Sequence, residues 1–253
     1  MQHIKSKKYL KGGVMDRCSD KKIEIFWGNE QSCPVAYLSP EFSVYCQSLC
    51  EKFTIKKIII QKQVHGVVGD FIYSDSVSND LCSLYQKEGD YLITDQVGIG
   101  IGVLTADCLP IVFYDKKNSV IAITHAGWRS SVGEIVIKTL ERMLLAHKFS
   151  PRDIWVYFGP CAKSCCYEVN GDFIENIKKY FFYPKLIRQD GEKIFFDLPL
   201  LNKFQLIEFG VDPTHINLDN NVCTMCRNGF YSYRRDGEMG KRQLSLVWLP
   251  KED

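Results

Sequence analysis

The 253 residues carry 45% apolar and 25% charged side chains, the balance of a globular protein with enough chain for a full hydrophobic core. Thirty-two Lys and Arg against thirty Asp and Glu leave a formal charge of +2, which argues against nucleic-acid or anionic-membrane partners. No apolar run is long enough to span a membrane, and the basic residues 1–8 lead into Tyr9-Leu10-Lys11-Gly12-Gly13 without the apolar core of a signal peptide.

In chain order, residues 1–21 read as a polar, flexible lead-in to a single domain over 22–253. Runs rich in β-branched and aromatic residues predict strands at 23–26, 35–38, 57–61, 100–105, 111–114, 120–124, 154–158, 194–196, 230–233 and 244–248. A helix is predicted over Pro40–Phe53, with Ser39 as N-cap and Pro40 at its first position. Val132, Ile135, Val136, Thr139, Leu140, Met143 and Leu144 follow i, i+3, i+4 spacing and predict one long helix over 129–147. Asn170 caps another, with Phe173, Ile174 and Ile177 as its apolar face, and a last one over Leu198–Phe209 stops at Gly210. With no linker or repeat, the mixture predicts an α+β fold: a single compact domain with mixed β-sheets at the centre and helices packed outside.

Eleven cysteines, an odd and scattered set without a secretory signal, predict a reducing cytoplasmic setting rather than a disulfide framework. Cys223-Thr224-Met225-Cys226 is a C-x-x-C, but an aromatic run follows it where a thioredoxin-type pair would open a helix. A four-cysteine metal site would need Cys161 with Cys165 or Cys166, an irregular ligand spacing, so these thiols read as ordinary small side chains.

Of five histidines, His3, His147 and His215 read as solvated or satisfied, His147 by complementing a helix C-terminus. His65 and His125 differ: each ends a strand-like run and precedes small residues that let the chain turn sharply. Cys108 lies between them at the end of a third such run. Two readings stay open for the trio. One is a catalytic zinc site of the His₂Cys type with its fourth position open to water. The other is two histidines satisfied by carbonyls beside a buried cysteine. Gly98-Ile99-Gly100-Ile101-Gly102 lacks the order of a nucleotide loop and reads as strand glycines. Arg234 and Arg235, adjacent after an aromatic run, read as part of a solvated hairpin ahead of the alternative, an anion site. Arg129 opens the predicted 129–147 helix, and is either an anion-binding guanidinium at a helix N-terminus or a cap for that helix.

Six blocks carry a resemblance. Lys62-Gln63-Val64-His65-Gly66, Gly89-Asp90-Tyr91-Leu92-Ile93-Thr94-Asp95 and Thr105-Ala106-Asp107-Cys108-Leu109-Pro110 come first. His125-Ala126-Gly127-Trp128-Arg129, Cys165-Cys166-Tyr167-Glu168-Val169 and Phe230-Tyr231-Ser232-Tyr233-Arg234-Arg235-Asp236-Gly237 follow. In that order they resemble the motifs of the bacterial laccase-domain, or polyphenol oxidase, family (YfiH-like). The resemblance implies one zinc per chain on His65, Cys108 and His125. It implies phosphorolysis of adenosine, inosine, guanosine or methylthioadenosine, with inorganic phosphate as co-substrate, and deamination of adenosine. Family members are also linked to polyphenol oxidation and to editing of peptidoglycan precursors. This sequence departs from the family pattern before residue 50, in the Gly159–Ser164 block, at Ser130, where Gly is usual, and at Lys241.

Within that resemblance Arg129 is the candidate for the phosphate pocket, and Asp90 or Glu168 for proton transfer. Multicopper chemistry is excluded by donor supply, since five histidines cannot serve several coppers. The alternatives are a zinc hydrolase of cell-wall precursors, a metal-free hydrolase using Cys108 as nucleophile with His125 as base, and a non-catalytic closed metal site. The expected partners are small molecules only, with the chain a monomer or small homo-oligomer.

Overall fold

The apolar runs of this chain are continuous rather than alternating, and such strands need apolar partners on both faces. The computed structural model describes residues 6–10, 13–17, 22–32, 39–73, 82–237 and 241–251. It meets that need by stacking two sheets and covering their outer faces with helices.

The chain opens with β1 (Ser6–Leu10), β2 (Gly13–Arg17), β3 (Glu24–Gly28) and helix α1 (Pro40–Phe53). Next come β4 (Lys57–Lys62), β5 (Gly69–Ile72), β6 (Cys82–Glu88), β7 (Tyr91–Thr94), β8 (Ile99–Thr105), β9 (Leu109–Asp115) and β10 (Val120–Ala126). Helices α2 (Trp128–Val132) and α3 (Ile135–Ala146) lead to β11 (Ile154–Phe158), β12 (Glu168–Val169) and α4 (Gly171–Ile177). The remainder is β13 (Ile187–Asp190), β14 (Lys193–Phe196), α5 (Leu198–Phe209), β15 (Ile216–Asn217), α6 (Tyr233–Asp236) and β16 (Gln243–Trp248). One sheet has the order β1-β2-β3-β16-β8-β4-β6, a second β15-β11-β9-β10-β7-β5, and a small third β12-β14-β13. Parallel pairs (β4 with β6 and β8, β5 with β7, β11 with β15) sit among antiparallel ones, so the sheets are mixed and the fold is α+β.

Side-chain alternation splits each apolar run between two cores. In β3, Ile25 and Trp27 enter the layer between the large sheets, whereas Phe26 faces α1. In β4, Ile59 enters that middle layer and Ile58 and Ile60 face α1. In β9, Val112 and Tyr114 face the middle layer, while Ile111 and Phe113 face α3 and α5. The helices answer with matching stripes: Phe42, Cys46, Leu49 and Cys50 on α1, and Ile135, Val136, Thr139, Leu140 and Met143 on α3. Each such buried aliphatic or aromatic side chain contributes about 1.5–3 kcal/mol. Among the described residues no helix is long and apolar enough to cross a membrane.

Several sequence expectations need correction. The stretch read as a lead-in contains β1 and β2, a hairpin whose second strand pairs with β3 along its whole length. The long 129–147 helix is two helices. Gly133 packs so tightly against Val67 that a Cβ there would lie 2.7 Å from its methyl, and Glu134 then turns left-handed at φ 65°. The predicted strand at 230–233 is a loop leading into α6, because Asp107 captures its polar groups. Strands β5, β7, β12, β13 and β15 are too short for a periodic signal. The predicted strand at 35–38, His3, Cys18 and Cys33 lie outside the described residues.

The two large sheets meet tightly at Gly159, where a Cβ would fall 2.4 Å from the Trp27 ring and 2.7 Å from Pro110. Gly159→Ala is therefore expected to lower stability by about 1–3 kcal/mol through overpacking. Urea unfolding measures this, and an unchanged midpoint would contradict the close approach.

Candidate metal centre

Three chain reversals at one end of the sheets carry the candidate ligands. His65 follows β4, Cys108 sits in the turn between β8 and β9, and His125 lies near the end of β10. One donor atom from each lies within 4.8 Å of the others, and the two imidazoles meet edge to face with centroids 4.8 Å apart. His125 is buried, Cys108 half-buried and His65 exposed, so the group has a solvent side. His65 has φ 60°, and Asp107, next to Cys108, has φ 86°; both are left-handed conformations that a non-glycine residue adopts at a cost of about 1–3 kcal/mol. Gly127 lets the three approach: a Cβ there would stand 3.0 Å from the His65 ring and 3.2 Å from the Cys108 sulfur.

Asp90, buried between β6 and β7, organises the histidines. Its Oδ1 lies 2.8 Å from His125 Nδ1 and accepts the His65 amide at 3.0 Å. Its Oδ2 accepts the amides of Gly66 at 2.6 Å and Val64 at 3.3 Å. Burial alone would raise the Asp90 pKa, but the hydrogen bond and charge of His125 and the amides of Gly66 and His65 overcome it, holding the carboxyl below its ordinary value. Burial likewise opposes ionisation of Cys108 and His125. Their mutual attraction, helped by hydrogen bonds from His65 to the sulfur and from His125 to Asp90, brings the thiol down to about 6 and the imidazole up to about 9. Thiolate character at Cys108 suits a cation.

Two further residues brace the site. The Gln63 carboxamide mimics a strand, donating to the Leu104 carbonyl and accepting its amide, both at 2.8 Å. Ser130 sets its hydroxyl 3.1 Å from the Gly127 carbonyl and 3.3 Å from that of His125, so its departure from the family pattern stitches the His125 turn. Sequence reasoning missed both roles; the position of Gln63 inside the His65 block was the only available signal.

A cleft of about 500 Å³ is lined by Trp128, Tyr167, Glu168, Asn170, Phe173 and Arg234. Burial raises the Tyr167 pKa and the charge of Cys108 raises it further, against the opposing guanidinium of Arg234, so this wall of the cleft lies within electrostatic reach of Cys108. Arg234 lies 5.0 Å over the Tyr167 ring and donates to the Glu168 carbonyl at 3.2 Å. Glu168 is exposed and pairs with Lys193 at 3.1 Å. The Arg129 guanidinium stacks 4.5 Å over Trp128 and makes no hydrogen bond or ion pair with another described residue. The helix it belongs to is a single turn starting at Trp128, so the argument from the end of a long helix no longer supports an anion there. His147 pairs with Asp95 at 3.5 Å and His215 stacks on Trp155 at 4.1 Å, both apart from the three donors.

Two imidazoles, one thiolate, an open side and a carboxylate-oriented histidine are the donor chemistry of a catalytic zinc site. Fold and site thus define an α+β protein with a His-Cys-His group that could hold a metal ion. A family model described as multi-copper polyphenol oxidoreductase laccase matches residues 44–250, and the chain belongs to that family. It is 32% identical over 204 residues to a purine nucleoside phosphorylase of Clostridium acetobutylicum, covering 79% of this chain and 80% of that one. It is 36% identical over 163 residues to an adenosine deaminase from an unknown prokaryotic organism, covering 63% and 62%. The fold matches that of YlmD from Geobacillus stearothermophilus with TM-score 0.83 and 22% identity over 96% of this chain and 98% of that one. The family's copper description does not fit the donor supply, since neither His147 nor His215 joins the group.

Cys108→Ala is expected to lose the metal, whereas His147→Ala and His215→Ala keep it, as read by elemental analysis of purified protein. Asp90→Asn retains the shape but removes the charge that orients His125, and should weaken metal affinity by about 10–100-fold. Chelator competition measures that fall, with circular dichroism to confirm folding. Unchanged affinity would remove Asp90 from the site.

Proposed function

We propose that this protein is a zinc-dependent purine nucleoside enzyme, which splits adenosine, inosine, guanosine or methylthioadenosine with inorganic phosphate and deaminates adenosine. The observation that carries the reading is the convergence of His65, Cys108 and His125, with Cys108 in electrostatic reach of Tyr167, which walls a cleft with Trp128 and Phe173 that Arg234 and Glu168 rim. Aromatic faces suit a flat purine, and a guanidinium suits a phosphate oxygen pair. The relatives are named as a purine nucleoside phosphorylase and an adenosine deaminase; both reactions call for a purine platform, and phosphorolysis also calls for an anion pocket.

His65, Cys108 and His125 would hold the zinc, which would supply Lewis-acid polarisation and activate a water. The chain's own residues do the rest. Asp90 fixes the His125 ring through Nδ1 and leaves Nε2 for the ion, so it is a positioning residue and not a proton carrier. Glu168, exposed at the cleft, takes the proton-transfer role at the purine. Arg129, over the Trp128 ring, and Arg234, over the Tyr167 ring, orient the phosphate. A metal-free hydrolase would need Cys108, His125 and Asp90 in line but has no use for His65; a third converging donor favours the metal. A cytoplasmic setting accords with the odd and scattered set of eleven cysteines.

Hypoxanthine release from inosine by zinc-loaded protein should rise and saturate as phosphate is added. Arg129→Lys keeps the charge but loses the planar fork, and should raise KM for phosphate by about tenfold while sparing adenosine deamination. A rate indifferent to phosphate would remove phosphorolysis from the proposal. Turnover of cell-wall precursors with none of nucleosides would replace it by the hydrolase reading. Activity in metal-free protein, abolished by thiol alkylation, would assign Cys108 as nucleophile.

A further inference from the structure

We propose that Cys165, Cys166, Cys223 and Cys226 form a second metal site, a closed tetrathiolate for zinc that fastens the wall of the cleft. Sequence spacing argues against it, because one pair is adjacent and the other is a C-x-x-C far along the chain. Tertiary structure brings all four sulfurs within 4.8 Å of one another. The Cys165 and Cys226 sulfurs are 3.7 Å apart. An edge of a regular tetrahedron with zinc–sulfur bonds of about 2.3 Å is about 3.8 Å long, so that separation fits two thiolates on one ion.

The local backbone is shaped for the role. The C-x-x-C segment is a tight turn in which the amides of Met225, Cys226 and Lys163 point at the Cys223 sulfur. Such N–H donors offset thiolate charge around a cation. On the other side the Cys166 and Tyr167 amides both bond back to the Lys163 carbonyl, at 2.9 and 2.8 Å, and this coil lets adjacent cysteines face one point. The two segments are joined by a bridge between Cys161 and Cys223 and by the Thr224 amide on the Cys161 carbonyl at 3.0 Å. The neighbouring thiols behave differently: Cys46 and Cys50 are buried against the seven-stranded sheet, and Cys161 is buried and accepts from Asn221 at 3.3 Å.

The consequence reaches the first site. Thr224, inside the C-x-x-C, donates to Asp107 at 2.7 Å, and Asp107 also accepts from Ser232 at 3.0 Å and from the Arg234 amide at 2.8 Å. Tyr167 and Glu168 directly follow the Cys165-Cys166 pair. An ion on the four sulfurs thus locks the residues that wall the cleft to the one preceding Cys108.

Elemental analysis of full-length protein grown with zinc and purified without chelator should find two zinc ions per chain. Cys226→Ser and Cys165→Ser should each retain one, Cys108→Ser one, and the Cys108→Ser/Cys226→Ser double variant none. Cobalt(II) added to metal-free Cys108→Ser protein should give the intense visible bands of a tetrahedral tetrathiolate. Zinc should also slow amide exchange at residues 161–168 and 222–227 in that variant, which a mere cluster of thiols would not do. One zinc in the wild type, unchanged zinc in both Cys226→Ser and Cys165→Ser, or a mass two hydrogens lighter from a Cys165–Cys226 disulfide would overturn the proposal. Failure here leaves the nucleoside reading standing, since that depends on His65, Cys108 and His125.

Discussion

One buried carboxylate holds the first site together. Asp90 lies between the chain reversals that carry His65 and His125, and its charge is met by His125 and three amides. An isolated carboxylate in that position would be neutral or unstable. With these four partners it stays ionised and fixes both histidines in one step. The His65 loop can then adopt a left-handed turn at a ligand position, a strain that only a strong local anchor makes tolerable.

Asp107 plays the corresponding part on the far side. It precedes Cys108, is itself left-handed, and receives Thr224, Ser232 and the Arg234 amide. Those bonds turn a stretch with strand-like composition into a loop and a single helical turn, and bring Arg234 to the cleft. Two aspartates on neighbouring reversals therefore convert sheet ends into a rigid cup. The rest of the fold, two sheets with helices on their outer faces, makes those ends immobile enough for the aspartates to act on.

Position within the cup separates groups of similar type. Of two carboxylates named for chemistry, the buried one has all its lone pairs engaged behind the ring of His125, while Glu168 shares only an exposed ion pair and faces the cleft. Of the cysteines, Cys108 lies between two imidazoles, Cys161 is sealed beneath Asn221, and four others converge in one corner.

Much of this was legible in the sequence. The cores of the long strands β4, β8, β9, β10, β11 and β16, and helices α1 and α5, follow from apolar runs, a proline start and a glycine stop, which are local signals. The three candidate donors were legible too, because each ends an apolar run. The break in the 129–147 helix was not, since it depends on Val67 pressing against Gly133 from another loop. Neither were the contrasting surroundings of Asp90, buried on His125, and Glu168, exposed at the cleft, nor the convergence of Cys165 and Cys166 with Cys223 and Cys226. The sequence by itself determined which residues form strands and which side chains end them, because burial on two faces demands continuous apolar runs. Only the tertiary structure decided which of those ends meet, because pairing between distant strands and a buried carboxylate's choice of donors are set by the assembled sheets and leave no periodic trace along the chain.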